Sequence, residues 1–478
     1  MVLKQKQTLI QLLALCVLGF VIFLYQLGYP AQLIFDETYH IPAAQKYLNG
    51  VFFQENHPPL GKLLIALGEK IWQRNKLTNQ FVLMEKVKGD IPQVDFFGYR
   101  FFPALFGLLS IIVLFFIFRL IIPDQLVAFV FSLMALFDNA LIVQARSAML
   151  DSFLIFFLLL TTYLSLKATQ APRLSRKQLL LLGFASAGAV LVKHTGWIVL
   201  VILLPVILRV IRDRKTDGYR CFIFFIFAFS LTYVLVWKIH YSLGKVTPEI
   251  NSGISQELMA WKGGGRRIDP IKLTYLQIRD AWAFSSQYNR GVPDLDLCKP
   301  DEVGSPWYYW PFGGRGISYR WETSGDWYRH LFLIGNPLVW LISLSGVLLP
   351  MAWIVGGWFF GIKVRSKSSR LIPYFALIYI SYMMPFLLIR RVMYLYHYLP
   401  AMVFGLILFS LTLLESRRIG KIGFTEKNRR YIALALIGLV FFSFIIYAPL
   451  TYYLPVSKEY MKRINILPIW NTDFQQRN

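Results

Sequence analysis

Charge is what this 478-residue chain has least of: 16% of its residues are charged, and its 26 acidic residues face 50 basic ones. A soluble globular chain carries roughly a quarter charged residues, so a surface facing water all round is excluded. Cysteine is nearly absent. Cys16, Cys221 and Cys298 stand far apart, two of them inside apolar runs. That excludes a disulfide framework and a zinc site built on paired thiolates. Phosphate-loop and Rossmann glycine patterns are missing as well. The formal net charge of +24 suggests nucleic acid at first sight, but the basic residues form short runs between apolar blocks rather than one basic face. No nucleic-acid partner is expected.

What is present is long apolar blocks. Leu9–Gly28, Phe101–Ile122, Leu126–Val143, Phe153–Leu166, Cys221–Leu243, Leu331–Ile362, Leu371–Ile389, Ala401–Leu414 and Tyr431–Leu450 are each long enough, or nearly so, to cross roughly 30 Å of hydrocarbon as a helix. Gln178–Ile211 is too long for one crossing and reads as two short helices broken at Lys193–His194–Thr195–Gly196. The expected fold is an all-α integral membrane protein of about eleven spans. Its first span follows Lys4 and Lys6, lacks a small-residue cleavage site and is read as uncleaved.

Orientation follows from the charges. The runs Lys167–Lys177, Arg209–Arg220, Lys363–Arg370 and Arg417–Arg430 are short and basic, as cytoplasmic loops are. The stretch 30–98 balances its charges, and 241–336 is nearly neutral. Both are expected outside, with the N-terminus in the cytoplasm of a cell (inner or plasma) membrane. The division expected is an N-terminal transmembrane half, 1–243, an external loop, 244–335, and a C-terminal four-helix region, 336–478. Within the first loop, Leu60, Leu63, Leu64, Leu67 and Ile71 form one apolar stripe at helical spacing, with Lys62, Glu69 and Lys70 off it. Such a helix lies flat on a membrane or packs on protein.

Asp36–Glu37 stands at the outer mouth of the first span, and His57–Pro58–Pro59–Leu60–Gly61–Lys62 follows. With FGYRFFPALFG, FDNALIVQARSAMLDS, VKHTGW, WYYWPFGGRGISY, LIGNPLVW and RRVMYLYHYLPA in order along the chain, this series resembles the protein O-mannosyltransferases. These belong to the GT-C class of polyprenyl-phosphate-dependent glycosyltransferases. Two departures stand out: His194 replaces a Trp, and Gly304–Ser305–Pro306 replaces a His-Pro step. The late loop is also too short for the β-trefoil domain of the eukaryotic enzymes, which implies a bacterial-type member.

The resemblance implies transfer of a sugar, most readily mannose, from a polyprenyl phosphate to a Ser/Thr hydroxyl of exported protein, with inversion. Asp36 would be the general base and Glu37 would position it or bind acceptor. Such a displacement needs a base for the hydroxyl proton and cations for the departing phosphate. Arg100, Arg146, Arg391, Lys193 and Arg315, at predicted outer membrane edges, are the candidates for the phosphate, against a reading in which they snorkel to lipid headgroups. His57, Lys62, Gln144, Asp151, Tyr396, His397 and Tyr398 are candidates for positioning substrate, with Asp151 either pairing with Arg146 or capping a helix. Trp307, Tyr308, Tyr309 and Trp310 either stack on sugar or form an interfacial belt. No residue set enforces a metal, although acidic pairs bind divalent cations in some relatives of the class. A glycolipid or polysaccharide acceptor is the rival within the class, and a transporter or flippase the rival outside it. Membrane lipids are the surroundings in every case, and the oligomeric state stays open.

Overall fold

The computed structural model describes residues 2–75, 94–212, 218–246, 253–265, 267–299, 302–361, 370–416, 418–419 and 422–470. Most of the basic run 363–370 lies outside them. The helices are, in order, α1 (Val2–Leu24), α2 (Glu37–Leu48), α3 (Leu60–Trp72), α4 (Phe97–Ile121), α5 (Gln125–Leu136), α6 (Asn139–Ala145), α7 (Asp151–Gln170) and α8 (Arg176–Val192). After a 3-10 turn at His194–Ile198 come α9 (Val199–Ile202), α10 (Leu204–Arg212), α11 (Gly218–Leu243), α12 (Gln256–Lys262) and α13 (Pro270–Gly291). The last five are α14 (Pro337–Phe360), α15 (Leu371–Met383), α16 (Leu399–Glu415), α17 (Glu426–Thr451) and α18 (Lys458–Ile464). A hairpin, β1 (Ile317–Ser324) and β2 (Trp327–Leu333), interrupts the series.

Helix ends sit where capping residues stand. Asp124 accepts from the amides of Leu126 and Val127 at 2.9 and 3.1 Å and starts α5. Ser175 and Gln178 close a capping box on α8. α8 stops at Val192, and the chain resumes as a 3-10 turn, so the break falls at the expected Lys193–Gly196 step. Seven described helices are long and apolar enough to cross a bilayer, or nine if the bent pairs α5–α6 (61°) and His194–Ile202 with α10 (40°) each count as one span. The sequence reading of eleven also counts α8, of 17 residues, and α15, of 13, which fall short of that length. Exposed apolar rows on α1 (Leu9, Leu13, Val17, Phe20) and α11 (Ile223, Phe227, Leu231, Val234) mark faces turned toward lipid.

Contacts group the chain into two units, each drawn from separate segments. One comprises Met1–Tyr25, Ala104–Arg146 and Asp294–Asn478; the other comprises Gln26–Pro103 and Ser147–Pro293. In the first unit α14 and α16 approach closely because glycines face each other: a Cβ on Gly346 would lie 2.2 Å from the Gly405 carbonyl oxygen. Asp138, at the bend between α5 and α6, accepts from the Leu141 amide (2.9 Å), the Asn336 amide (3.0 Å) and the Trp340 indole (2.9 Å). The FDN and LIGNPLVW motifs are therefore one latch. β2 pairs with β1 and, on its other side, with the short strand Pro455–Ser457.

In the second unit Phe52, Leu191, Trp237, Tyr241, Leu258 and Ala281 form a buried cluster joining the first loop to α8, α11, α12 and α13. α3 combines the two readings of its sequence. Lys62 and Glu69 are buried, whereas Leu67 and Ile71 are exposed and Leu60, Leu63 and Leu64 only half-buried. Lys62 and Glu69 face protein; along the stripe, Leu60 and Leu63 pack against the buried cluster while Leu67 and Ile71 face outward, as on a helix lying partly against lipid. Glycines permit this: a Cβ on Gly68 would meet the Gly98 carbonyl oxygen at 2.3 Å.

Candidate active site

The second unit holds the acidic motif of the first loop. α2 begins at Glu37, and helical geometry puts Glu37 and His40 on one side of its first turn. The Glu37 carboxylate is fully buried. Its Oε1 accepts from Arg100 Nε at 2.8 Å and from the Ala148 amide at 2.8 Å; its Oε2 accepts from Arg100 Nη2 at 2.9 Å and from the Ile34 amide at 3.1 Å. Arg100 donates its remaining N–H groups to the backbone: Nη1 to the carbonyls of Pro30 (2.8 Å) and Leu27 (3.4 Å), Nη2 to that of Gln32 (2.8 Å). A guanidinium has five N–H donors. All five are used inside the fold, which corrects the expectation that Arg100 binds phosphate. Arg100 instead fastens the segment 27–37 around Glu37.

The other half of the clamp is His40. Its Nδ1 lies 2.8 Å from the Ala148 carbonyl oxygen, which can only accept, so Nδ1 carries the proton. Ala148 thus donates its N–H to Glu37 and accepts a hydrogen bond from His40 at its carbonyl. Burial and the nearby Lys62 hold the His40 imidazole well below its usual range.

Asp36 differs from its neighbour. It is the residue before α2, is partly exposed, and its side chain does not cap the helix; its carbonyl accepts from the Tyr39 and His40 amides at 2.9 and 3.0 Å. The residue before it, Phe35, has φ +40°, an outlying conformation for an aromatic residue. Strain of this kind persists only where surroundings over-determine it and clusters at functional sites. The Glu37–Arg100 clamp supplies those surroundings.

His57, Lys62, Lys193 and Asp151 belong to the same unit. Lys62 is buried and donates to the Glu55 carboxylate and, at 3.3 Å, to Asn56 Oδ1. Lys193 donates to Asp151 Oδ1 at 2.7 Å. The Ser285 hydroxyl donates to the Asn56 carbonyl at 2.7 Å, so it accepts from His194 Nε2 at 2.9 Å. The loop 55–57 is thereby held from both sides. His57 Nδ1 is buried and makes no hydrogen bond among the described residues. Burial, then Lys62 and Lys193, push the His57 imidazole well below its usual range.

In the other unit, burial pushes His330, on β2, down to about 3. For His40, His57 and His330 the folded state binds fewer protons than the unfolded chain once pH falls below the unfolded histidine value near 6.5. Stability is therefore complete above that pH and declines below it. Thermal unfolding of the detergent-solubilised protein is expected at progressively lower temperature from pH 7 to pH 5. His330→Asn should flatten part of that slope.

The remaining candidates lie in the first unit. Arg146 Nη1 donates to carbonyls at the end of α1, at 2.6 Å to Tyr25 and 3.2 Å to Phe23, and its guanidinium stacks 4.8 Å from the Tyr452 ring centre. These contacts cap α1, since cations suit a helix C-terminus. Gln144 accepts from the Tyr319 hydroxyl. Arg315 and Arg391 are partly exposed; Arg315 donates to the Glu302 carbonyl and Arg391 to that of Val392. His397 donates from Nδ1 to the Tyr394 carbonyl at 3.0 Å and is stacked between Tyr396 and Trp310. The Tyr398 hydroxyl meets that of Tyr379 at 3.1 Å. Trp310 is buried and donates to Ser305 Oγ at 2.8 Å, while the Ser305 amide donates to the Met393 carbonyl at 2.7 Å. Ser305 therefore joins the aromatic segment to RRVMYLYHYLPA despite the departure there. Of the four aromatics, Trp310 is core, and Tyr308 is exposed.

His40, Glu55, Asn56 and Ser285 were not singled out from sequence. His40 had a signal, three residues after Glu37 on a helical face; Ser285, more than two hundred residues from Asn56, had none. Among the described residues no three of His, Cys, Asp or Glu gather as a metal site.

Comparison with known proteins agrees with this architecture. Residues 13–243 match the model of the dolichyl-phosphate-mannose-protein mannosyltransferase family, and residues 285–470 match that of the C-terminal four-transmembrane region of protein-O-mannosyltransferase. Protein O-mannosyl-transferase 1 of Rattus norvegicus is 33% identical over 196 residues, 39% of this chain and 26% of the relative. Dolichyl-phosphate-mannose--protein mannosyltransferase 4 of Schizosaccharomyces pombe is 32% identical over 163 residues, 34% of this chain and 20% of the relative. The alignments thus span about a quarter or less of these relatives' length. The structure of the S. cerevisiae protein O-mannosyltransferase Pmt1-Pmt2 complex bound to the sugar donor superposes with a TM-score of 0.83 at 15% identity, over 97% of this chain and 93% of that one. At that identity the likeness concerns the fold, which is the GT-C architecture of a multi-pass membrane protein. With two models of one family matched in order over most of its length, the chain belongs to the protein O-mannosyltransferase family.

Proposed function

We propose that this protein transfers mannose from a polyprenyl-phosphate donor to a Ser/Thr hydroxyl of an exported polypeptide, with inversion at the anomeric carbon. Asp36 is the general base. As the acceptor oxygen bonds to C1, the hydroxyl proton passes to the Asp36 carboxylate, the C1–O bond to phosphate breaks, and the polyprenyl phosphate leaves with the electron pair. The observation that carries this reading is the contrast within one motif: Glu37 has every lone pair filled by the scaffold, whereas Asp36 is partly exposed on a strained turn. Glu37, Arg100 and His40 are positioning residues. His57, with an unpartnered buried ring nitrogen, is assigned to the substrates.

For the departing phosphate we assign Arg391, with Arg315, because both residues are partly exposed. A hydrogen bond to a charged group contributes about 1.5–3 kcal/mol, so Arg391→Ala should weaken donor binding roughly 10–100-fold with the protein still folded. Titration with mannosyl prenyl phosphate checks this.

The reaction itself is tested by offering purified protein labelled mannosyl, glucosyl and aminoarabinosyl prenyl phosphates with Ser/Thr peptides and with lipid acceptors. Mannosyl peptide is the expected product. Sugar appearing only on lipid would overturn the protein acceptor, and an aminoarabinosyl product would overturn the donor.

A further inference from the structure

The longest helix of the late loop, α13, presents an outward face that nothing in the site requires. Ile271, Tyr275 and Trp282 are 81%, 63% and 40% exposed and fall at i, i+4 and i+11, one stripe of a helix, with Ile278 at its edge packed against the buried cluster. Lys272, Arg279 and Arg290, all exposed, share the neighbouring flank, seven and eighteen residues apart. The opposite face, Leu276, Gln277, Asp280, Ala281 and Ser285, is buried. Helices with an apolar stripe and a basic flank lie in the interface of a membrane.

The depth of α13 agrees. The Trp282 indole donates to the Tyr233 hydroxyl at 3.2 Å, and its ring lies 4.7 Å from that of His194. Tyr233 stands ten residues before the end of α11, about 15 Å along the helix. α13 therefore runs alongside the last turns of α11 rather than beyond them. At this level α11 exposes the apolar residues Leu231, Leu235 and Ile239, so α13 lies at the depth of a helix with a lipid-facing side. Charge complements this. Between residues 256 and 291 the chain has six basic and three acidic residues. Glu257 pairs with Lys272 (3.7 Å) at solvent-exposed positions, where such a pair contributes little, whereas the exposed Arg279 is held by the buried Asp280 (2.8 Å).

We propose that α13 is a lipid-seated helix whose stripe enters the leaflet at the Leu243 end of α11 and whose basic flank binds anionic phospholipid headgroups. Its buried Ser285 holds the Asn56 carbonyl, so the seated helix also braces the loop that carries His57.

The test uses the full chain with Cys16, Cys221 and Cys298 replaced by serine, in nanodiscs of phosphatidylcholine with phosphatidylglycerol. Spin labels at Ile271→Cys and Tyr275→Cys should collide with oxygen more readily than with an aqueous nickel complex, and a label at Gln287→Cys should do the reverse. Nickel reaching positions 271 and 275 as freely as 287 would overturn the seating. K272Q/R279Q/R290Q should lower the preference for spin-labelled phosphatidylglycerol over phosphatidylcholine at least about twofold, since basic residues near the surface attract anionic lipid. An unchanged preference would overturn the assignment of anionic headgroups, while unchanged elution of the variant shows that folding is not the cause.

Discussion

Asp36→Asn should insert and fold like the parent protein and transfer sugar about 10²–10⁴-fold more slowly. The size follows from what is removed. Asparagine keeps the shape of the side chain but cannot accept the hydroxyl proton, so the alkoxide must form without help while binding contacts remain. Stability should change little, because Asp36 is partly exposed and its side chain is not the cap of α2. Donor affinity should stay near normal, and the loss should sit in the turnover number. Near-normal turnover would remove Asp36 from the role of base. Glu37→Gln in the same assay provides the contrast, since its deficit should come with a loss of folded protein.

That second loss is the larger structural prediction. Glu37 and Arg100 form a fully buried pair at 2.8 Å, and removing one partner of such a pair costs about 3–5 kcal/mol because the other charge is left uncompensated. Arg100→Ala should be worse than Glu37→Gln. It strands the carboxylate and also unfastens the carbonyls of Leu27, Pro30 and Gln32. Both variants should lower the thermal midpoint of the solubilised protein. The double variant Glu37→Gln/Arg100→Ala should be less destabilised than the sum of the two single changes, which would show coupling. Strict additivity would mean that the pair does not act as one clamp.

Adjacent acids with the same sequence signal thus stand in different surroundings, and the difference lies in tertiary contacts. The order of motifs was enough to read the family, apolar periodicity was enough to find α3, and the length of the apolar segment was enough to find the break after Val192. The direction of α3 was not legible. A stripe reads the same whether it faces protein or lipid, and only the partners of Lys62 and Glu69 decide. Arg100 misled for a related reason: an arginine at a predicted membrane edge suits phosphate, yet three backbone carbonyls and a carboxylate take all its donors. The relay from His194 through Ser285 to Asn56 joins segments far apart in the chain, and no local pattern announces it.

The account rests on a carboxylate waiting beyond the lipid on the side away from the cytoplasm. Thr38→Cys, next to the motif and partly exposed, reports that side directly when intact cells carrying it in the cysteine-free chain are treated with a membrane-impermeant maleimide. Labelling of intact cells is the expected result. Labelling only after the membrane is opened would put residues 36 to 62 in the cytosol, and an enzyme acting there on exported protein would be impossible.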